Sequence, residues 1–434
     1  MRAFLVGVDL HDSGQLLAVD DSLEELRALA DTAGLAVIGE LTQKLDRIEP
    51  ATFIGKGKVE ELKTWQSELD FEVALFDDEL SPRHQRNLEK ELGDKVRVLD
   101  RTALILDIFA QHAHTREGAL QVELAQYEYR LPRLTRSWTH LVRQAGGGAG
   151  RSGTAGVGLR GPGETQLEVD RRQIRARITL LKHELEDVRL HRQQHRAQRR
   201  RAQIPVVAIV GYTNAGKSSL LNALVDVAGA KQTVPILAED KLFATLDPTT
   251  RRVRLPAGKT ALFTDTVGFI QKLPTQLVAA FRATLEEIEE ADLLLHVVDL
   301  THPNAVEQAQ SVERTLQELH ITDIPIVMAL NKIDRLDDAQ REAMLSERFP
   351  HSVPISALEQ LNLARLLEHV EHELFESLTP VQLRLPYRRS DLAALFHDHG
   401  RVDHEEYGET ALTISGRLPA RYLAAFRPYL LKQD

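Results

Sequence analysis

The chain has 434 residues, of which 43% are hydrophobic and 27% charged, and a formal net charge of −10. That length exceeds what one hydrophobic core usually supports, so several domains are expected. The absence of cysteine excludes disulfides, thiolate metal sites and cysteine nucleophiles, and no apolar run approaches the ~20 residues of a membrane span.

The opening MRAFLVGVDLHDSG turns polar too early for a secretion signal, so a cytoplasmic protein without a membrane anchor is expected; its expected state is monomeric. Residues 1–114 alternate strand and helix signals. MRAFLVGVDL and LAVIGELTQK read as strands, DSLEELRALADTAG as a helix and FEVALFDDEL as a buried strand. SPRHQRNLEKELG reads as a helix with proline in its first turn and a glycine stop, and KVRVLDRTALILDIFAQHA as a strand running into a helix. Repeated β-α pairs predict a small parallel sheet and hence an N-terminal α/β subdomain. Gly55 and Gly57 precede a helix start and look like a phosphate loop, but alone they specify only a turn.

Residues 115–203 change character. EGALQVELAQYEYRLPRLTRSWTHLVRQ is helical in period, with a break expected at Pro132. A glycine-rich stretch from Gly146 to Gly163 follows, and ETQLEVDRRQIRARITLLKHELEDVRLHRQQHRAQRRR predicts a second long helix. The expectation is a long α-helical hairpin whose tip, beside Arg151 and Arg160, is rich in exposed backbone. Between Arg171 and Gln203 eleven Lys or Arg stand against three acidic residues. On an acidic chain that local excess reads as an electrostatic footprint for a polyanion such as RNA.

Residues 204–378 carry the chemistry. Val206 to Val210 form a buried strand that ends in Gly211, Tyr212, Thr213, Asn214, Ala215, Gly216, Lys217 and Ser218, a match to G-x-x-x-x-G-K-[ST] opening a helix. Such a loop wraps backbone N–H groups around a β-phosphate where glycine permits close approach. Lys217 then reaches the β- and γ-phosphate oxygens, and the Ser218 hydroxyl ligates Mg²⁺. KLFATLDPTTRRVRL offers Thr245, Thr249 and Thr250 for the threonine that completes the metal shell and senses the γ-phosphate. Thr249 and Thr250 abut a strand, so Thr245 has more freedom to fold over a nucleotide.

Asp265, Thr266, Val267 and Gly268 form D-x-x-G at the end of the next strand; the carboxylate holds Mg²⁺ through water and the Gly268 N–H binds the γ-phosphate. Phe269 follows where a small GTPase often has a water-orienting glutamine, so unaided hydrolysis is expected to be slow. LLLHVVDL is a further core strand. DIPIVMALNKIDRL ends in Asn331, Lys332, Ile333 and Asp334, an N-K-x-D sequence in which Asp334 accepts from guanine N1–H and N2–H₂, Asn331 reaches the base edge and the Lys332 stem covers the ring. Adenine offers neither donor and leaves the carboxylate unpaired at ~1–3 kcal/mol, so guanine is selected. Ser356, Ala357 and Leu358 end another strand whose backbone is available to guanine O6. Five strands, each bringing a motif to its C-terminal end, predict an open, doubly wound α/β sheet.

GYTNAGKS, FATLDPTTR, DTVGFI, NKID and SAL, preceded by FIGKGKVEEL, LILDIFAQHAHTREG, LQVELAQ and GLRGPGETQLEVDRR, resemble the HflX family of translational GTPases from about residue 50 to 378. The resemblance implies a P-loop GTPase domain preceded by an α/β subdomain with a helical hairpin. It also implies binding to the large ribosomal subunit and its rRNA, and splitting of stalled or idle 70S ribosomes under stress, with hydrolysis stimulated by ribosomes. Carried onto this chain it implies GTP or GDP contacts over Gly211–Ser218, at Phe243, Ala244, Thr245, Leu246 and Asp247, over Asp265–Gly268, over Asn331–Asp334 and over Ser356–Leu358, with Ser218 and Thr245 as Mg²⁺ ligands. Lys217, Ser218, Thr245 and Gly268 are the residues expected to carry hydrolysis. The glycine loop departs from the family by being longer. Residues 379–434, with VQLRLPY and ALTISGRL as strands and SDLAALFHDHG and PARYLAAFRPYL as helices, read as a small α+β domain. The competing readings are a GTPase of ribosome assembly or RNA modification, and an RNA-binding scaffold that holds GTP as a structural ligand.

Overall fold

A computed structural model of the chain describes residues 1–11, 17–134, 166–201, 204–229, 242–243, 246, 248–272, 282–337, 349, 352–375 and 378–431. The glycine-rich stretch with Arg151 and Arg160 lies outside these residues, as do Ala244, Thr245 and Asp247. Side chains beyond residue 189 in the long basic helix lie outside them too. The chain divides into two compact units, the first consisting mainly of Met1–Gly14 and Ala18–Arg196 and the second mainly of Ala197–Leu273 and Phe281–Asp434.

In the first unit, β1 (Arg2–Leu10), α1 (Val19–Thr32), β2 (Ala36–Leu45), α2 (Lys56–Leu69), β3 (Val73–Phe76), α3 (Pro82–Leu92), β4 (Arg97–Asp100) and α4 (Arg101–His112) follow in order. The strands pair in parallel as β2-β1-β3-β4, the small parallel sheet that the β-α alternation predicts. Phe4, Val6, Leu62, Phe76 and Leu88 bury one face. Caps fix the helix starts: Ser81 accepts from His84 N, with Pro82 beginning α3, and Asp100 accepts from Ala103 N at 2.9 Å to begin α4.

A buried cluster at the C-terminal ends of β3 and β4 ties these elements together. Arg101, 1% exposed, donates to Asp77 Oδ1 at 2.6 Å, to Ser22 O at 2.9 Å and to Glu25. Burial opposes its charge, but Asp77 and Glu25 outweigh that and hold the guanidinium above its ordinary range. Beside it Asp100 accepts from Tyr129 Oη at 2.8 Å and from Leu80 N at 3.0 Å. Tyr129 belongs to α5 (Arg116–Arg130), whose Thr115 cap accepts from Gly118 N. The short turn Leu131–Arg133 follows at the expected break.

The helix α6 (Gln166–Arg201) packs Leu181 with Leu120 and Leu124 of α5. Arg177 forks onto Glu123 with two contacts of 2.8 Å, and Lys182 meets Glu128 at 2.8 Å. Part of the basic excess counted in the sequence is therefore neutralised by α5.

The second unit contains β5 (Val206–Gly211), α7 (Lys217–Val227), β6 (Thr249–Arg254), β7 (Thr260–Asp265), α8 (Arg282–Glu289), β8 (Leu293–Asp299), α9 (Ala305–Glu318), β9 (Ile326–Asn331), β10 (Val353–Pro354) and α10 (Leu363–Phe375). Its sheet runs β10-β9-β8-β5-β7-β6. Every neighbour pairs in parallel except β6, which returns antiparallel on β7. The sequence counts five strands here, and the sixth is this hairpin arm at the edge. Leu220, Leu224, Leu366 and Val370 pack on the face that carries Ile209, Leu295 and Val297. Val298 and Leu330 meet α9 through Ala305 and Ala309.

A third sheet, β11 (Leu378–Pro386), β12 (Arg401–Tyr407) and β13 (Ala411–Pro419), is antiparallel in the order β11-β13-β12. It packs Leu383 and Ile414 against Phe396 of α11 (Ser390–His399) and Phe426 of α12 (Ala420–Phe426). Arg427 donates to Ala291 O at 2.7 Å, just ahead of β8. Among the described residues no helix is long and apolar enough to cross a membrane.

Asp77→Ala strips the Arg101 guanidinium of a fully buried counter-ion. A cost of about 3–5 kcal/mol is expected, read as a lower urea midpoint by circular dichroism; an unchanged midpoint contradicts the role given to the cluster.

Candidate functional site

The C-terminal ends of β5, β7, β8 and β9 lie side by side in the sheet, with Gly211, Asp265, Asp299 and Asn331 as their last residues. In an open α/β sheet this edge is where ligands gather. The loop from Gly211 to Gly216 connects β5 to α7, whose first residue is Lys217. Gly216 takes φ 91° with the Asn331 amide against it, and an added Cβ meets Asn331 Nδ2 at 2.3 Å, so only glycine fits.

Lys217, 7% exposed, is folded into this loop, its Nζ donating to Tyr212 O at 2.7 Å and Gly211 O at 3.1 Å. Burial pushes its pKa down to about 8, against the opposing pull of the Asp265 carboxylate. Ser218 donates to Asp265 Oδ2 at 2.6 Å, so a hydroxyl and a carboxylate meet next to the ammonium. Thr266 donates to Ile209 O at 2.6 Å, fixing the start of D-x-x-G on β5.

The rest of that segment is zipped to the loop. Thr213 N donates to Phe269 O at 2.8 Å, Phe269 N to Gly211 O at 3.0 Å, and Gln271 N to the Tyr212 hydroxyl at 2.9 Å. Gly268 lies against the lysine, since an added Cβ reaches Lys217 Nζ at 3.0 Å and Thr213 Cα at 2.8 Å. Val267 and Phe269 are buried. Phe269 thus closes the loop through its backbone and turns its ring inward.

The N-K-x-D segment joins the same loop from β9. Asn331 Nδ2 donates to Ala215 O at 2.9 Å, and Asn331 Oδ1 accepts from Ala357 N at 3.0 Å. Its amide, expected from sequence to reach a base edge, is spent on protein partners at both ends. Lys332 takes φ 68° and its Nζ meets Asp299 Oδ2 at 2.6 Å. Asp334 sits half-buried on the turn Ile333–Arg335 and has no hydrogen bond or ion pair among the described residues. Ser356 Oγ accepts from Glu359 N at 3.0 Å, and Leu358 is 73% exposed. Phe243 and Leu246 are buried. Thr250 is bound to Thr264 at 2.9 Å on the β6–β7 hairpin, leaving it committed to the sheet.

Two residues escaped the sequence analysis. Asp299 ends an apolar run with a single acid, a signal that the run emerges at a polar edge. His296, 1% exposed on β8, has both ring nitrogens without a hydrogen-bond partner among the described residues. Burial, reinforced by the Lys217 charge, pushes its pKa down to about 4. Its folded pKa lies below the ordinary 6.5, so the unfolded chain binds the proton that the folded chain refuses. Stability is therefore complete above about pH 6.5 and is lost as pH falls towards 4, by up to about 3 kcal/mol. His296→Leu is expected to remove that share of the drop in melting temperature between pH 7 and pH 5; an identical drop in both proteins contradicts it.

Comparison with known proteins adds three family models, described as GTP-binding GTPase N-terminal over residues 20–110, GTP-binding GTPase middle region over 112–199 and 50S ribosome-binding GTPase over 206–332. A protein named GTPase HflX from Caldanaerobacter subterraneus subsp. tengcongensis is 45% identical over 412 residues, spanning 95% of this chain and 91% of its own. One of the same name from Escherichia coli K12 is 41% identical over 403 residues, spanning 92% and 90%. The solved structure of a GTP-binding protein from the archaeon Sulfolobus solfataricus in complex with GDP is 26% identical, covers 86% of this chain and 97% of that chain, and superposes with a TM-score of 0.41.

Proposed function

The chain belongs to the HflX family of GTPases and hydrolyses GTP, and from that premise we propose that it couples the nucleotide to a grip on the large ribosomal subunit and dissociates stalled or idle 70S ribosomes. The observation that carries the nucleotide part of this reading is the Asn331 amide on Ala215 O at 2.9 Å. It fastens the segment bearing Asp334 directly to the segment bearing Lys217, so one ligand spans a cation at its phosphates and a carboxylate at its base.

Each side chain has a task in this reading. Lys217, almost wholly stripped of solvent, neutralises β- and γ-phosphate charge where the local dielectric is low. Asp334 pairs with the guanine N1–H and N2–H₂. The remaining contacts along Gly211–Ser218, Phe243–Asp247, Asp265–Gly268, Asn331–Asp334 and Ser356–Leu358 line the nucleotide. Ser218 and Asp265 present hard oxygen donors 2.6 Å apart, the chemistry that suits Mg²⁺. Ser218 and Thr245 would ligate the ion, which supplies charge neutralisation at the transferring phosphoryl group. A γ-phosphate held by Lys217 would be bound by the Gly268 N–H as well, so loss of phosphate releases the Gly268–Gln271 segment. Phe269 offers no group to orient water, and a partner supplies what it lacks.

The basic helix supports an RNA partner: Arg175 faces solvent on α6, while Arg177 and Lys182 are committed to α5. Purified 70S ribosomes incubated with the protein and either GTP or a non-hydrolysable analogue test this reading, with phosphate release followed alongside sucrose-gradient profiles. Faster phosphate release and conversion of 70S into subunits are expected, with binding to ribosomes weakening steeply as salt is raised. Fast hydrolysis that ribosomes leave unchanged, or 70S particles that stay intact, overturns it.

A further inference from the structure

We propose that Asp299 is a positioning residue for the guanine base, holding the ammonium of Lys332 so that the methylene stem of the lysine is laid out in advance as a floor for the purine ring. The inference rests on the reading of Asn331–Asp334 as the base site and extends it to a residue of β8 outside every nucleotide-binding motif.

Strand β8 is buried along its length until Asp299, which stands in register opposite Asn331. The carboxylate therefore adjoins Lys332, the next residue of the partner strand. Both of its oxygens are occupied. Oδ1 accepts from the Thr301 N–H at 3.0 Å and the Thr301 hydroxyl at 2.6 Å, while Oδ2 receives Lys332 Nζ at 2.6 Å. With one oxygen fastened to its own turn the carboxylate cannot swing away, and the ammonium has a fixed anchor. The side chains of Lys332 and Asp299 are only 18% and 14% exposed, so solvent and salt screen this pair less than a surface one.

Lys332 itself is held in an uncommon state. Its φ of 68° lies in the left-handed region, unusual for a residue with a Cβ, and such strain persists where surrounding structure over-determines it. Here the hydrogen bonds Arg335 N to Lys332 O at 3.1 Å and Ile333 N to Ile355 O at 3.3 Å do so. A purely architectural pair between the ends of β8 and β9 is redundant. The two strands already share a parallel ladder from Leu294 to Asp299, continued by Leu300 N on Asn331 O at 3.1 Å. What the pair alone fixes is the lysine stem. A free lysine tail loses rotamer freedom when a base settles on it, and a tail already tethered loses little.

The test is dissociation of a fluorescent GDP analogue from the full-length chain by stopped flow. Lys332→Ala is expected to speed release about tenfold, Asp299→Asn about fivefold, and Thr301→Val in the same direction by less. Because Asp299 acts through Lys332, the double variant Asp299→Asn/Lys332→Ala is expected to release no faster than Lys332→Ala alone, although its melting temperature still falls below that of the single variant. Residues that act on release independently of each other predict the opposite, two effects that multiply, and that result overturns the proposal. Wild-type release from Asp299→Asn and Thr301→Val, with Lys332→Ala fast, overturns it while leaving the base site intact. Wild-type release from Lys332→Ala refutes the base-site reading and the proposal together. Should Asp299→Asn fail to fold, Thr301→Val alone decides, since it loosens the carboxylate without removing it.

Discussion

One side-chain amide holds the site together. Asn331 leaves the end of β9, donates to the carbonyl of Ala215 and accepts from the N–H of Ala357. The phosphate loop, the N-K-x-D segment and the loop after β10 therefore meet at a single planar group that is 2% exposed. Buried polar atoms of this kind cost most when left unpaired, so each of the three loops depends on the other two for its register. Gly216 is glycine because that amide occupies the space a Cβ needs. The sheet supplies the rough convergence, and Asn331 converts it into contact.

Around that joint the site is buried and asymmetric. Lys217 lies against carbonyls of its own loop, His296 is buried without a proton to give away at neutral pH, and Val267 and Phe269 close the side nearest Gly268. Low polarisability sharpens every charge placed there. The same wall of apolar atoms offers nothing to orient a water for attack. In the proposed reading, selective binding and slow unaided chemistry thus come from one feature, and control of the turnover falls to a partner that completes the site. Arg427, in the turn after α12, is fastened to Ala291, ahead of β8 and so at the opposite end of that strand from Asp299.

Much of the fold was legible because period and punctuation agreed. The parallel first sheet, the strand and turn before Lys217, the β6–β7 hairpin around Pro256–Lys259 and both helices of the C-terminal part follow from apolar runs bounded by Gly, Pro and Asp. Strand β12, RVDHEEY, was missed because an edge strand with one open side carries almost no apolar alternation. In the site, glycine and lysine spacing announced the phosphate loop because its chemistry is local. The Asn331 bridge, the Asp299–Lys332 pair and the Arg101 cluster join residues far apart in the chain, and single-sequence pattern carries no record of such pairings. Sequence could count cations on α6 but could not tell that Arg177 and Lys182 are matched by Glu123 and Glu128 of α5.

The central claim is that Asp334 and Lys217 hold the two ends of one guanosine nucleotide. Calorimetric titration of the isolated chain with GTP and with ATP, at one magnesium and salt concentration, tests it most directly. The account predicts GTP held roughly tenfold to a hundredfold more tightly, because adenine leaves the Asp334 carboxylate without a donor. Equal affinity for the two nucleotides contradicts it.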